Sequence, residues 1–380
     1  MNIAVLNETG ESEARVALMP DSVQKLVALK ASVSVESGAG LGAARTDDDY
    51  TAAGATVVAD RNALLANADV LVVVSRPSEE DFKKMKQGAV VLGFLRPLDE
   101  PAKLTPALEN GLTTFSMELV PRITRAQAMD ALSSMATVAG YKAVLLGADR
   151  IPRMFPLLMT AAGTVPPARV LVLGAGVAGL QAIATARRLG AVVEAYDVRA
   201  AAGEQVRSLG AKFLEVDLGG IQTEDKGGYA VELSEEALQR GRDLIAEHAK
   251  TADVIVTTAQ VPGRRAPVLM EESAVRAMKR GSIVIDLAGA TGGNVTGSKP
   301  DEIIERDGVT IMAPTNLPAT VPVHASQLYS RNVTSFLTLL IKDGELHVDM
   351  EDNIVGPSCV THDGKWMNQR VAGAVGAVVK

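Results

Sequence analysis

The stretch Arg169-Val-Leu-Val-Leu-Gly174-Ala-Gly176-Val-Ala-Gly179 decides the fold of this chain. Its apolar residues predict a buried strand, its glycines a tight turn, and the residues beyond them a helix. Gly174 allows the turn, Gly176 allows a pyrophosphate to approach the backbone, and Gly179 allows the helix to pack closely. The unpaired N–H groups and the positive dipole end of that helix favour a phosphate group.

A second strand and an acidic residue follow this turn. The sequence Ala191-Val-Val-Glu-Ala-Tyr-Asp197 predicts a strand that ends in a carboxylate 18 residues beyond Gly179. A carboxylate at this place accepts hydrogen bonds from the adenosine ribose hydroxyls of a dinucleotide and repels a 2′-phosphate. The alternative is a glycine-rich turn with a structural role only. We expect an NAD(H) site, with these residues of the turn as contacts: Gly174, Ala175, Gly176, Val177 and Gly179.

The composition excludes several classes of protein. The 380 residues suffice for two domains with full cores, and the net charge of −7 with a pI near 5.3 argues against a nucleic-acid surface. The single cysteine, Cys359, excludes an internal disulfide and favours a buried core thiol in a reducing cytoplasm. We expect neither a signal peptide nor a transmembrane helix, so that any membrane contact is made through a partner.

Short apolar segments separated by helical periodicity run along the whole chain. They predict parallel, doubly wound α/β sheets. A weak internal repeat indicates two similar domains, because Ala68-Asp-Val-Leu-Val-Val-Val74 is echoed by Ala252-Asp-Val-Ile-Val-Thr-Thr258. The predicted strands are residues 3–6, 32–36, 70–74, 90–94, 113–116, 170–173, 192–196, 212–216, 254–257, 283–286 and 309–312.

Two helices are expected where the chain passes between these domains. Residues 125–150 lack a strand signal and are rich in helix formers, which predicts one long helix that joins the domains. Residues 324–341 predict another helix, after which the chain belongs again to the first domain. We therefore expect a nucleotide-binding domain of residues 131–319, inserted into an outer domain of residues 1–130 and 320–380.

A second glycine pattern, Gly38-Ala-Gly40-Leu-Gly-Ala43, lies in the outer domain with Asp60 beyond it. Residues 45–50 predict a helix cap several residues after the glycines, so no helix N-terminus points at a phosphate there. We interpret this pattern as a structural turn.

Three polar residues recur at a spacing of three residues after Arg122. Gln127, Asp130 and Ser133 therefore fall near one face of a helix or of its start. An amide, a carboxylate and a hydroxyl on one face can bind a nicotinamide carboxamide, a ribose or a partner's side chain. The alternative is a solvated helix face with an acidic residue near its N-terminus.

Two loops of the nucleotide-binding domain are further candidates. Residues 227–230, Gly-Gly-Tyr-Ala, are typical of a surface loop that closes over a ligand, although a plain exposed loop has the same composition. Residues 257–263 follow a strand, at a place suited to the second half of a dinucleotide. The candidate cofactor contacts in these loops are Gly228, Tyr229, Ala259 and Gln260.

The histidines indicate neither a metal site nor a catalytic triad. The chain has four, and none has the spacing of metal ligands or a Ser or Cys partner for a catalytic triad. We therefore expect no metal site.

These stretches together resemble the NAD(H)-binding α subunit of proton-translocating nicotinamide nucleotide transhydrogenase. The resemblance runs over nearly the whole chain, and Gly-Gly-Tyr-Ala matches the mobile loop of that family. The segments that carry it are residues 117–134, 160–170, 174–186 and 197–199. The resemblance implies two Rossmann-like domains, of which the NAD-binding one is inserted into the other.

The resemblance also implies roles for individual residues. Arg122, Gln127, Asp130 and Ser133 fall on the loop that positions the nicotinamide in this family. Gln260 falls where the family more often has an apolar residue, so its role stays open. The residues matched to adenosine ribose contacts are Asp197, Val198 and Arg199, and those matched to the closing loop are Gly228 and Tyr229.

The activity implied by the resemblance is direct hydride transfer from NADH to NADP⁺ held by a partner subunit. A membrane subunit would couple this transfer to proton translocation, and the chain would be a homodimer on the cytoplasmic face of the cell membrane. Hydride transfer needs apposed rings and exclusion of water, but no general base, metal or nucleophile. Nothing in the chain itself shows NADP(H) binding, pumping or dimerisation.

Alanine dehydrogenase, which the fold also resembles, is the main alternative. That enzyme carries a substrate lysine at one strand end and a histidine after a later strand. The matching positions here are Val74 or Ser75 for the lysine and Phe94 for the histidine. Because these acid–base residues are missing, the sequence favours the transhydrogenase. A non-catalytic NAD-sensing subunit is a third hypothesis.

Overall fold

The computed structural model describes residues 1–216, 234–261 and 263–376. The chain forms two compact units: the outer unit, Met1–Met135 with Pro318–Lys380, and the inserted unit, Ala136–Leu317. The predicted closing loop, with Gly228 and Tyr229, lies outside the described residues.

The strands, in chain order, are β1 Asn2–Val5, β2 Ser32–Glu36, β3 Thr56–Val58, β4 Val70–Ser75, β5 Val90–Phe94, β6 Thr113–Ser116, β7 Leu158–Thr160, β8 Gly163–Val165, β9 Arg169–Leu173, β10 Val192–Tyr196, β11 Lys212–Leu214, β12 Val254–Thr257, β13 Ile283–Asp286, β14 Ile303–Arg306, β15 Val309–Met312, β16 Ile341–Lys342, β17 Glu345–Leu346, β18 Cys359–His362 and β19 Lys365–Trp366.

The α-helices are α1 Pro20–Ala28, α2 Asp47–Ala52, α3 Arg61–Asn67, α4 Glu79–Lys84, α5 Thr105–Glu109, α6 Ala131–Arg150, α7 Val177–Arg188, α8 Ala202–Ser208, α9 Glu235–Ala249, α10 Glu272–Arg276, α11 Pro322–Leu340, α12 Val355–Ser358 and α13 Gln369–Ala374. Short 3₁₀ helices lie at Leu41–Ala43, Pro101–Leu104, Met117–Leu119, Thr124–Met129, Gly289–Thr291 and Leu317–Thr320.

Each unit is built on one doubly wound sheet. The outer sheet has the strand order β3-β2-β1-β4-β5-β6-β18-β19, and the inserted sheet has β11-β10-β9-β12-β13-β15-β14. The six-strand parallel part of each sheet follows the order of a Rossmann-like sheet. Strands β14, β18 and β19 are antiparallel additions at the edges. The predicted fold class is confirmed.

The internal repeat of the sequence corresponds to the same set of hydrogen bonds around an aspartate in both units. Asp69 and Asp253 precede β4 and β12, and each accepts a hydrogen bond from the first main-chain N–H of the neighbouring strand, Asn2 at 2.5 Å and Arg169 at 2.9 Å. Each carboxylate also accepts a hydrogen bond from a lysine, Asp69 from Lys86 at 2.5 Å and Asp253 from Lys279 at 3.0 Å. The two sheets therefore share their register as well as their strand order.

The predicted long helix is shorter than expected. Residues 124–129 form a 3₁₀ turn, and the α-helix begins only at Ala131. By length and composition alone, α6 is apolar enough to cross a membrane, a property that it shares with core helices of soluble proteins. Within the inserted unit Ala143 and Val144 are fully buried in the core, and Gly147 lies against the side chain of Val254. These contacts pack the C-terminal part of α6 against the core of the inserted unit.

Several other predictions can be compared with the structure. The predicted helix 324–341 is α11, which begins at Pro322. Of the residues expected on its apolar face, Leu328 is half-buried and the others are buried: Ala325, Val333, Phe336, Leu337 and Leu340. Cys359 is buried, as predicted, and burial raises the pKa of its thiol to about 12. The prediction missed β3, β7, β8, β14 and β16–β19.

Candidate dinucleotide site

The glycine turn after β9 has three geometrically different glycines. Gly174 has a φ of +100°, which favours glycine, and a Cβ there would lie 2.5 Å from the Oγ1 of Thr258. A Cβ on Gly179 would overlap the carbonyl oxygen of Gly174. Gly176 precedes α7, and a Cβ there would meet no atom within 4 Å. The turn therefore leaves open space beside a helix N-terminus, which fits a pyrophosphate.

Asp197 lies directly after β10 and is tied to this turn. Its Oδ2 accepts the main-chain N–H of Ala175 at 2.7 Å. Its carboxylate also accepts the main-chain N–H of Arg199 at 2.8 Å and two bonds from the guanidinium of that residue at 2.9 and 2.8 Å. Its side chain is 6% exposed. The structure thus brings together Ala175, Asp197 and Arg199, three of the predicted cofactor contacts.

The turn after β12 lies against the same glycine turn. The N–H of Thr258 donates to the carbonyl of Leu173 at 2.8 Å, and its hydroxyl donates to the carbonyl of Gly174 at 3.1 Å. Ala259, a predicted contact, is half-buried, and Gln260 is exposed and donates to the carbonyl of Leu287 at 2.6 Å. Strands β9 and β12 flank the point where the strand order reverses, which is where α/β sheets bind ligands.

Sequence reasoning missed the residue that holds this turn. Asn294 is fully buried, its Oδ1 accepts the N–H of Ala259 at 3.0 Å, and its Nδ2 donates to the carbonyls of Ala259 at 2.9 Å and Pro267 at 2.8 Å. The sequence Gly292-Gly-Asn294 was a signal, because two adjacent glycines before an asparagine indicate a tight turn. In the structure both glycines have a positive φ, and Gly293 lies against the side chain of Asp286.

Asp286, at the end of β13, supports Asn294 in turn. Its carboxylate is fully buried and accepts the main-chain N–H groups of Ala288, Asn294 and Val295. It also accepts the hydroxyls of Thr257 at 2.9 Å and Ser298 at 2.7 Å. Five hydrogen bonds stabilise this buried charge and fix the loops on both sides of it.

The polar set of the outer unit lies at the start of a helix and not on one face of a continuous helix, and this is one of the two arrangements expected. Gln127 is an exposed residue of the 3₁₀ turn, and Asp130 stands between this turn and α6. Asp130 accepts the N–H of Ser133 at 2.9 Å and its hydroxyl at 2.6 Å, which is the hydrogen bonding of a helix N-cap. The physical reason is that a capping carboxylate is more favourable just before a helix than inside one. Arg122 is exposed and has interactions of its own.

The first glycine pattern has the packing of a structural turn. A Cβ on Gly40 would lie 2.5 Å from the ring of Tyr50 and 2.8 Å from the carbonyl of Arg45. Asp60 accepts the N–H groups of Asn62 and Ala63 and so caps α3. Asp60 therefore has a local structural role, in agreement with our interpretation.

In the outer unit, the place equivalent to the phosphate-facing turn carries an acidic side chain. Counted from Asn2 and Arg169, Glu8 corresponds to Ala175. Its carboxylate accepts the N–H groups of Val74 at 2.6 Å and Ser75 at 2.7 Å, at the end of β4. Burial raises the pKa of Glu8 to about 7.

The positions matched to the acid–base residues of alanine dehydrogenase carry other contacts. The ring of Phe94 lies 5.1 Å from the ring of Tyr329, and Val74 is fully buried. Ser75 is exposed, and its N–H is the one bound by Glu8. These side chains supply no proton donor with the pKa of a lysine or a histidine.

Comparisons with known proteins cover nearly the whole chain. Residues 4–139 match the model "Alanine dehydrogenase/PNT, N-terminal domain", and residues 143–369 match "Alanine dehydrogenase/PNT, C-terminal domain". A Rhodospirillum rubrum protein named as the first part of NAD(P) transhydrogenase subunit alpha is 47% identical over 98% of this chain and 99% of its own. An alanine dehydrogenase of Mycobacterium tuberculosis is 29% identical, over 99% of this chain and 97% of its own.

A solved structure agrees with these matches. The crystal structure of a transhydrogenase from Sinorhizobium meliloti is similar to this chain with a TM-score of 0.87 and 44% identity. The match covers 96% of this chain and 99% of that one.

Proposed function

Because the chain belongs to the alanine dehydrogenase/PNT family, we propose that it is the NAD(H)-binding α subunit of a proton-translocating transhydrogenase. It binds NADH and passes hydride to NADP⁺ carried by a partner subunit. The observation that carries this proposal is the open glycine turn beside Gly176, closed on one side by Asp197. It is supported by the identity to transhydrogenase α subunits, which exceeds the identity to alanine dehydrogenase.

The inserted unit holds the adenosine and pyrophosphate parts in this proposal. The N–H groups at the start of α7 donate to the pyrophosphate, Gly174 and Gly179 keep the backbone close, and Asp197 accepts the ribose hydroxyls. Val177, which is 41% exposed, is the first residue of α7, and Val198 packs at the edge of the core behind Asp197. The residues Ala259 and Gln260 face the second half of the dinucleotide.

The ring is assigned to the polar set of the outer unit by the family resemblance. Gln127 offers an exposed amide, and Asp130 fixes the rotamer of Ser133 through the two hydrogen bonds of the helix cap. The bound dinucleotide supplies the hydride, and these residues orient the carboxamide and exclude water. Arg122 belongs to the same segment. Gly228 and Tyr229 are proposed as the closing loop on sequence grounds.

A second copy of the chain is part of this proposal. The hairpin β7–β8 is a separate two-stranded sheet in which Met159 is 79% exposed and Val165 41% exposed, and Leu157, just before β7, is 52% exposed. A two-stranded hairpin is only marginally stable in water by itself, so packing against a second copy would stabilise it. Residues 154–168 carry no charge, which is typical of the apolar core of a homodimer interface. Met159→Asp should shift the chain toward monomer in light scattering. The matched control Ile303→Asp, at a position that is 52% exposed elsewhere, should not.

The proposed location is the cytoplasmic face of the cell membrane, reached through the membrane subunits that bind NADP(H) and translocate protons. This part rests on the family resemblance, and the name of the Rhodospirillum rubrum relative supports only that such a chain is one part of a larger transhydrogenase. Co-purification with membranes that contain the partner subunits, and not with membranes that lack them, would support it.

The decisive experiment is reconstitution. The chain is mixed with an NADP⁺-loaded partner subunit, and hydride transfer from NADH is followed in a single turnover. Transfer that needs both proteins supports the proposal. Oxidation of NADH by the lone chain with pyruvate and ammonia would identify an alanine dehydrogenase instead, and NADH binding without any transfer would indicate a sensing subunit.

A further inference from the structure

The guanidinium of Arg199 lies on the carboxylate of Asp197, at the end of β10 where an adenosine ribose is expected. We propose that Arg199 is a latent 2′-phosphate-binding residue, which Asp197 keeps occupied, and that this pair makes the site accept NADH and reject NADPH. This inference rests on the proposed function and adds the residue that discriminates between the two cofactors.

The contact between the two side chains is a two-point ion pair. The Nε of Arg199 donates to Oδ1 of Asp197 at 2.9 Å, and a terminal nitrogen donates to Oδ2 at 2.8 Å. Two parallel N–H bonds from one guanidinium match a phosphate as well as they match a carboxylate. The same fork can therefore hold either anion, but not both at once.

The pair is anchored at the right place in the fold. Asp197 is joined to the glycine turn through Ala175, and the N–H of Gly174 donates to the carbonyl of Tyr196 at 2.8 Å. The ribose end of a dinucleotide that lies on this turn reaches the end of the second strand. The side chain of Arg199 is 21% exposed, so a ligand can reach it without unfolding the loop.

The carboxylate therefore rejects a 2′-phosphate by two effects. Its own charge repels the phosphate, and it neutralises the cation that would otherwise attract it. For a 2′-hydroxyl the same carboxylate is an acceptor, so NADH gains where NADPH loses. A substitution at Asp197 alone should then do more than weaken NADH binding, because the guanidinium of Arg199 should also become able to bind a 2′-phosphate.

The test uses fragments that differ by one phosphate: 5′-AMP and adenosine 2′,5′-bisphosphate. Affinities are measured by calorimetry for the native chain, Asp197→Asn, Asp197→Ala and the double variant Asp197→Asn/Arg199→Gln. Asp197→Asn keeps an oxygen that can accept the N–H of Ala175, so the turn is retained if the alanine variant loses it. Relative to AMP, we expect the bisphosphate to gain roughly tenfold or more in both single variants, as a charge-assisted pair implies, and to lose this gain in the double variant.

Two results would overturn the inference. One is the absence of a relative gain for the bisphosphate in Asp197→Asn. The other is a gain that persists in the double variant, which would assign it to a cation other than Arg199. NADH binding by the native chain is measured in the same series, and its failure would count against the proposed function rather than against this pair.

Discussion

Gly179 packs directly on the carbonyl oxygen of Gly174, so that the first turn of α7 touches the end of β9 without a side chain between them. Gly179→Ala should therefore destabilise the chain by about 1–3 kcal/mol, because the atom in the way is main chain and cannot move aside.

Gly176 is the matched contrast, since its Cβ would meet no protein atom. Gly176→Val should lower the free energy of unfolding by less than Gly179→Ala does, and it should weaken NADH binding roughly tenfold or more by displacing the pyrophosphate. Native affinity in Gly176→Val would remove the pyrophosphate from this turn.

Asn294 should control the turn after β12 through the backbone of Ala259. Asn294→Ala leaves buried main-chain groups of Ala259 and Pro267 without partners, which costs about 1–3 kcal/mol in urea unfolding. If this turn contacts the nicotinamide half, affinity for NADH should fall severalfold while affinity for AMP stays the same. Ser298→Ala, which removes one bond to Asp286 but none to Ala259, is the control. Equal losses for NADH and AMP would show a general structural effect instead.

Gln127 should act on transfer rather than on binding. Its side chain is exposed in the 3₁₀ turn, so Gln127→Asn should leave both the free energy of unfolding and the NADH affinity close to native. The shorter amide should slow hydride transfer in the reconstituted complex by misplacing the ring. Single-turnover absorbance measures this rate, with Ser134→Ala as a control nearby. A native rate would contradict the assignment of Gln127.

Glu8 should make the stability of the outer unit depend on pH. Burial raises its pKa to about 7, so the folded chain binds a proton that the unfolded chain releases at a lower pH. Its contribution to stability is present below the ordinary glutamate pKa and is lost as the pH rises to about 7. Thermal unfolding between pH 5 and pH 8 should therefore show a loss in the native chain that is smaller in Glu8→Gln. Parallel profiles for the two proteins would exclude Glu8 as the titrating group.

The sequence predicted most of the strands and both sheets because buried parallel strands are runs of apolar residues. The segments 192–196, 254–257 and 283–286 were predicted with the bounds that the structure has. Strands such as β3 and β14 were missed because they are edge strands of three or four partly exposed residues. An edge strand shows neither a strong alternation of apolar and polar residues nor a long apolar run, because it has a neighbouring strand on one side only.

The parts of the candidate site that the sequence predicted are those whose geometry is set by residues close together in the chain. The glycine turn and Asp197 are of this kind, because their spacing follows from one strand, one turn and one helix. Asn294 was not found, because its partners Ala259 and Pro267 lie 35 and 27 residues away. Asp286 was not found, because its contacts depend on how the loop after β13 folds back on it and on Thr257, 29 residues away. The spacing of Gln127, Asp130 and Ser133 allowed either a helix face or a helix start, and the capping hydrogen bond between Asp130 and Ser133 puts them at the start of α6.

Glu8 determines how many NADH molecules one chain should bind, although the chain contains two similar sheets. The outer sheet has the strand order and register of the inserted one, yet a glutamate carboxylate already takes the N–H groups at the end of β4. A dinucleotide would meet the side chain of Glu8 at this second crossover, so each polypeptide should be monovalent for NADH. Equilibrium dialysis should end at one equivalent per chain, and a second equivalent would mean that the side chain of Glu8 had been displaced.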